Sequence, residues 1–338
     1  MRRWAWAGVL AAAALVAVLV SAAALSLVAP ADPHAQSEVL VHIPEGASTE
    51  EIARILAERR IVKNALAFRL AARFDGLAGR LQAGWYRLSP ALTTHEILVR
   101  LAAGHVATVR FTVPEGYTVA QVRALLIHEG FGDAAEVERA TRAREVVAAW
   151  LPAGAEVKEP LEGYLFPDTY TLPYGSGAEA AVRAMTRRFA KVWTPEMEAR
   201  RRALGLTVHE AVTLASIIEL ETKFPEDRPL VSAVFHNRLK RGMPLGSDVT
   251  VAYAVGKPAA ELTRADFADP SPFNTYVHTG LPPGPICNPG IDALRAALEP
   301  ADVPYLYFVA LPDGHLLYAR TIAEHQENVR KARSMGSR

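Results

Sequence analysis

The chain has 338 residues, with 37 Lys and Arg against 36 Asp and Glu, for a formal net charge of +1. That balance gives no electrostatic reason to expect nucleic acid as a partner. The single cysteine, Cys287, excludes an intrachain disulfide and, within Pro-Ile-Cys-Asn-Pro, reads as a small packed residue rather than a nucleophile.

Residues 1–3, Met-Arg-Arg, precede a run without charge over residues 4–29. A bilayer core needs about 20 apolar residues, so this run predicts a transmembrane helix. Arg2 and Arg3 stand before it and Asp32 soon after, which places the N-terminus in the cytoplasm and the remainder outside. The rival is a cleaved signal peptide, whose apolar core is usually shorter, about 7–15 residues. Residues 30–37 read as a linker.

The length that remains allows two or more domains. Residues 39–43 read as a strand and residues 44–48 as a turn, with Ser48 and Glu51 spaced as a capping box. Helices follow over 49–58 and 64–74, then a strand over 84–88 and a helix over 93–102. The order strand, helix, helix, strand resembles a LysM-like glycan-binding module, over residues 38–105. Residues 109–113 begin a related pattern: Pro114-Glu115-Gly116 answers Pro44-Glu45-Gly46, and a helix over 119–128 follows. This is a weak internal repeat or two turns of a common kind. Residues 133–150 read as helical. Residues 106–157 form a second strand–helix module and connector, and residues 153–159 a loop into a final domain over 158–338.

In that domain, residues 161–170, Leu-Glu-Gly-Tyr-Leu-Phe-Pro-Asp-Thr-Tyr, read as a cleft wall. Residues 208–223 read as a helix that is apolar on most sides and carries two carboxylates, Glu219 and Glu221. Glu221 shares a face with Leu214, Ile217 and Ile218, while Glu219 points almost the opposite way. A buried carboxylate has its pKa raised, which suits a general acid at neutral pH. From the helix alone, a structural ion pair with Arg228 or Arg238 is the stronger reading, since ion pairs also perturb pKa values. His209-Glu210 lacks a following histidine at zinc spacing, His236, His278 and His315 are dispersed, and Ser216 lacks a nucleophile elbow.

The helix is followed in order by Val-Phe-His-Asn-Arg-Leu (234–239), Leu-Gly-Ser-Asp-Val-Thr (245–250), Ser-Pro-Phe-Asn-Thr-Tyr (271–276), Gly-Leu-Pro-Pro-Gly-Pro (280–285) and Asn-Pro-Gly (288–290), with a closing strand over 304–309. With the Leu-Glu-Gly segment, this series resembles the endolytic murein transglycosylase family, also called YceG-like. The resemblance covers nearly the whole chain. It implies an α+β fold with an N-terminal transmembrane helix, a small LysM-like domain and a larger catalytic domain. It implies an inner-membrane, single-pass enzyme acting in the periplasm. The substrate would be peptidoglycan glycan strands, cut internally between MurNAc and GlcNAc to leave 1,6-anhydroMurNAc ends and so to terminate glycan elongation. It implies no cofactor and no metal, and makes peptidoglycan synthases candidate partners.

The family's catalytic glutamate is the second of a Glu-x-Glu-Thr segment, so the resemblance assigns catalysis to Glu221 and a structural role to Glu219. Asn237, Asp248, Asn274 and Tyr276 stand at motif positions suited to hydrogen-bonding a sugar, or to turns and caps. Arg238 and Lys240 read as solvated charges, with contact to acidic peptide stems as the other reading. One departure is Asp248-Val249-Thr250-Val251, where the family often has Asp-Pro-Thr-Val. Two other functions fit the sequence: a membrane-tethered glycan-binding scaffold, and a muramidase that uses water.

Overall fold

The computed structural model describes residues 14–16, 18, 25–152, 154, 155 and 157–336. Most of the 4–29 run lies outside the described residues, and so does its assignment as a transmembrane helix. Among the described residues no single helix is long and apolar enough to cross a membrane. The chain divides into two compact units, Met1–Val109 with Thr171–Gly175, and Arg110–Tyr170 with Ser176–Arg338. The division falls inside the strands Thr108–Thr112 and Thr169–Pro173, which pair as a two-stranded sheet.

The first unit has the predicted element order. Strand Val39–Ile43 pairs antiparallel with Gly84–Leu88, with Val41 opposite Tyr86. Helices Thr49–Glu58, Ala65–Phe74 and Thr94–Ala102 close over the sheet through a core that includes Ile43, Ile52, Leu56, Phe68, Tyr86 and Leu98. Ser48 Oγ accepts from the Glu51 amide at 3.1 Å, the forward half of the predicted capping box. Gly46 and Gly116 take the same positive φ, 73° and 77°, so the two Pro-Glu-Gly segments are the same kind of strand-to-helix turn. A side chain is strained in that region.

The second unit is mainly helical. The predicted 133–150 helix is shorter, Ala134–Thr141 followed by a 3-10 turn at Arg144–Val147. The domain does not end at the predicted closing strand. Tyr307–Ala310 pairs with Leu316–Ala319, and helix Ile322–Gly336 packs behind that hairpin. Most of the 161–170 stretch is core rather than cleft wall, and Glu162 is its one residue among those lining a cavity beside Tyr253. Leu161, Tyr164 and Leu165 have no exposed surface, and Tyr164 lies edge-on to Phe189 at 5.2 Å. Its aromatics are large apolar groups whose burial outweighs the irregular backbone that carries them.

Candidate active site

Helix Val208–Glu221 is the axis of the site. Every residue from Ala211 to Ile218 is buried, as its all-round apolar pattern requires. Its N-terminus is fixed by a capping box between Thr207 and Glu210 and by His209. The His209 ring bonds the Tyr164 hydroxyl through Nδ1 and the Pro283 carbonyl through Nε2, both at 2.8 Å. At Ser216 the hydroxyl accepts from the Ile286 amide at 3.0 Å and donates to the Thr213 carbonyl. Thr222 turns extended and ends the helix, so Glu221 is its last residue.

The two glutamates have different partners. Glu219 Oε1 accepts from Arg228 Nη2 at 2.9 Å and Oε2 from the Gly290 amide at 2.8 Å. Arg228 also lies 3.7 Å from carboxylate oxygens of Glu115 and of Asp292. The Glu219 and Arg228 side chains are only 7% and 10% exposed. Burial raises the Glu219 pKa, and the Gly290 hydrogen bond and the Arg228 charge only partly offset it. This is the structural ion pair, and of the two arginines weighed from sequence it uses Arg228.

Glu221 is half-buried as a residue, yet its carboxyl is desolvated by the protein around it. Its pKa is pushed up to about 7, chiefly by desolvation, with the Asp248 charge acting the same way. The Ser247 hydroxyl and the Arg238 charge oppose that rise. The negative end of the helix dipole also disfavours an ionised carboxylate at this position. Ser247 Oγ donates to Glu221 Oε1 at 2.5 Å, which holds one oxygen. The arrangement is a carboxyl able to give and take a proton near neutral pH.

Ser247 carries this contact and was not among the residues singled out from sequence. Its position is the N-cap of helix Asp248–Val255, but its side chain makes no capping bond. A serine in that place normally caps, and here its hydroxyl is turned onto Glu221 instead. The backbone around it is braced. Thr250 Oγ1 donates to the Ser247 carbonyl at 2.7 Å, and the Ser247 amide donates to Thr275 Oγ1 at 3.0 Å. The helix starts at Asp248 with Val249 in its first turn. A first-turn amide needs no helical acceptor, so this position suits valine or proline alike.

The four other predicted residues separate into two pairs. Asp248 and Tyr276 are exposed and meet each other, the Tyr276 hydroxyl donating to Asp248 Oδ1 at 2.5 Å. Asn274 has no exposed surface. Its amide nitrogen donates to the Phe267 and Asp269 carbonyls, and its oxygen accepts from the Tyr276 amide, so it holds the loop that carries Tyr276. Asn237 donates to the Val303 and Tyr305 carbonyls at 2.8 and 2.9 Å and pins the segment before the terminal hairpin. The geometry gives both asparagines positioning work rather than a face toward ligand. Arg238 is not the solvated charge the sequence suggests. It donates to the Leu306 and Leu245 carbonyls at 2.7 and 2.6 Å, and its guanidinium lies 5.2 Å from the Tyr307 ring centre.

Another buried acid, Glu162, is also absent from the sequence-derived candidates. It accepts from the Val119 amide at 2.9 Å and from the Tyr253 hydroxyl at 3.2 Å, and burial pushes its pKa up to about 8. It lines a cavity of about 630 Å³ with Tyr253, Lys158, Leu220 and Val249, the last two being the chain neighbours of Glu221 and Asp248. A larger cavity, about 870 Å³, is lined by Arg139, Trp150, Arg183 and Arg187 and by none of the predicted site residues. Size alone therefore does not mark the site. Among the described residues no cluster of His, Cys, Asp and Glu is arranged to hold a metal ion.

The chain is similar over most of its length to known proteins. An endolytic murein transglycosylase of Bacillus subtilis is 33% identical over 319 residues, spanning 89% of this chain and 87% of that protein. One of Streptococcus pneumoniae is 33% identical over 332 residues, and the match spans 59% of that longer protein. The crystal structure of a yceG-like protein from Listeria monocytogenes aligns with a TM-score of 0.60 at 34% identity, covering 86% of this chain and 98% of that one. The model of the YceG-like family matches residues 41–331, a span that contains Glu219, Glu221, Ser247 and Asp248, and the chain belongs to that family.

Proposed function

We propose that this chain is an endolytic peptidoglycan lytic transglycosylase in which Glu221 is the acid–base group. The observation that carries the residue assignment is the carboxyl with a pKa raised to about 7, held on one oxygen by Ser247. The family and the names of the relatives carry the reaction class.

Protonated Glu221 gives its proton to the oxygen that links MurNAc C1 to GlcNAc, and that C1–O bond breaks. The Glu221 carboxylate then takes the proton of the MurNAc C6 hydroxyl as its oxygen bonds C1. Glu221 ends as it began, and the chain end is 1,6-anhydroMurNAc. The nucleophile belongs to the substrate, so the paired-carboxylate arrangement of most glycosidases is not needed. Asp248 and Tyr276 are the exposed polar pair that meets sugar groups; Asn274 holds the loop that carries Tyr276, Arg238 braces Leu245 ahead of Asp248, and Asn237 pins the segment before the terminal hairpin. The uncharged 4–29 run, with Arg2 and Arg3 before it, supports a single span in the bacterial inner membrane with the catalytic unit periplasmic. The first unit serves as a LysM-like glycan-holding domain. Cutting nascent strands there terminates their elongation, beside peptidoglycan synthases.

The product tests the reaction. Digestion of uncrosslinked glycan in ¹⁸O-water should release internal fragments with unlabelled anhydro ends, because the C6 oxygen held at C1 outcompetes bulk water. Labelled reducing ends would identify a muramidase. Intact strands that remain bound would identify a scaffold.

Activity should also fall as pH rises through about 7, since the proton donor is then lost. Ser247→Ala removes a hydrogen bond to the charged form, which moves this alkaline limb upward by about one pH unit or more. It should also lower kcat, because the carboxyl is no longer held. An unchanged pH–rate profile in a folded Ser247→Ala protein would remove Ser247 from the mechanism.

A further inference from the structure

The helix Ala65–Phe74 has the sequence Ala-Leu-Ala-Phe-Arg-Leu-Ala-Ala-Arg-Phe and contains no acidic residue. Its inner face is buried through Ala67, Phe68 and Ala72. Its outer face is apolar as well: Leu66, Leu70 and Phe74 are 59%, 49% and 87% exposed. Their spacing of four sets them on one ridge. A single exposed leucine needs no explanation, but three on one ridge form a continuous strip that no described residue covers. Arg69 and Arg73 line one side of it, and Lys63 lies just before the helix. Among the described residues Glu50 lies 3.2 Å from Arg69, and Asp75, just past Phe74, is taken by His95 at 2.8 Å.

A water-facing helix carries polar residues of both signs. An apolar ridge edged by long cations is the pattern of a helix lying in a bilayer interface, where the arginine stems run along lipid and their heads reach phosphate. A second observation sets the ridge near a membrane. Lys63 Nζ donates to the Ser26 carbonyl at 3.2 Å, so the start of this helix adjoins the end of the apolar run. We infer that the Leu66–Leu70–Phe74 ridge, with Lys63 and Arg73, docks on an anionic phospholipid surface and holds the first unit against the membrane. The inference rests on the reading that residues 4–29 enter the bilayer.

Spin labels on the full chain test it. Leu70→Cys reports the ridge and Leu15→Cys the apolar run, while Cys287 is fully buried and stays unlabelled. In vesicles of mixed phosphatidylglycerol and phosphatidylcholine, the label at 70 should collide with oxygen and lose collisions with an aqueous nickel chelate, at a depth of about 5–10 Å. Adding Arg73→Glu, or using phosphatidylcholine alone, should return it toward water. A label at 70 that stays in water while the label at 15 is embedded overturns the inference and leaves the anchor standing. A label at 15 in water with 70 embedded does the reverse. Shielding of 70 from both colliders, in detergent as in vesicles, would mean a second protein copy covers the ridge and also overturns the inference. Equal embedding in both lipids, unaffected by Arg73→Glu, overturns the anionic part of it.

Discussion

Glu221→Gln is expected to fold and to lose turnover by about 10²–10⁴-fold, the usual worth of a positioned acid–base group. Glutamine keeps the size and can still accept from Ser247, but it cannot give a proton to a leaving oxygen and retrieve one. Its stability has a sign that can be checked. The folded pKa of about 7 lies above the ordinary 4.5. In the native chain this contribution to stability is fully present below about pH 4.5 and is lost as pH rises through about 7. Glutamine removes that loss. Melting temperatures of the two proteins should therefore diverge in favour of the variant between those limits, on top of the titration of Glu162, which both share. Release of fragments from glycan strands at near-native rate by folded Glu221→Gln would refute the assignment.

Arg228→Met should be the most destabilising single change in the second unit among the charged positions. It strands Glu219 on the far side of the same helix with one backbone donor left, the Gly290 amide. Removing one partner of a buried pair costs about 3–5 kcal/mol, read as a drop in chemical-denaturation stability. Glu219→Leu combined with Arg228→Met should recover much of that loss, since neither charge is then buried alone. Glu219→Gln should lower stability while the folded fraction keeps its activity. A double variant no more stable than Arg228→Met would show that the pair does more than neutralise itself.

The central helix is legible in the sequence because its apolar residues recur around the whole circumference, which leaves burial as the only stable outcome. The strand–helix–helix–strand order of the first unit follows from local signals: alternating apolar residues, caps at Ser48 and Asn64, and a Pro-Glu-Gly turn. Helical spacing also sets Glu219 and Glu221 on different faces. What spacing leaves open is which carboxylate finds an arginine, since Arg228 and Arg238 stand on the same following helix. That depends on how the two helices cross. The crossing gives Arg228 to Glu219, while Arg238 is fastened to the Leu245 and Leu306 carbonyls and reaches Glu221 only through its charge.

The 161–170 stretch reads as a surface wall because its glycine and proline break regular structure, but local backbone irregularity does not report burial. Ser247 and Glu162 are invisible to spacing for a related reason. Ser247 bonds a residue 26 positions away and Glu162 bonds one 91 positions away. Side chains that far apart meet only when the tertiary structure closes the loop between them. The chain by itself therefore determines that the carboxylates of its all-round apolar helix are forced inside. Only the packed structure decides which of them is neutralised by an arginine and which is left with a serine and a raised pKa, because desolvation and hydrogen bonding act over a few ångströms and carry no trace in local sequence.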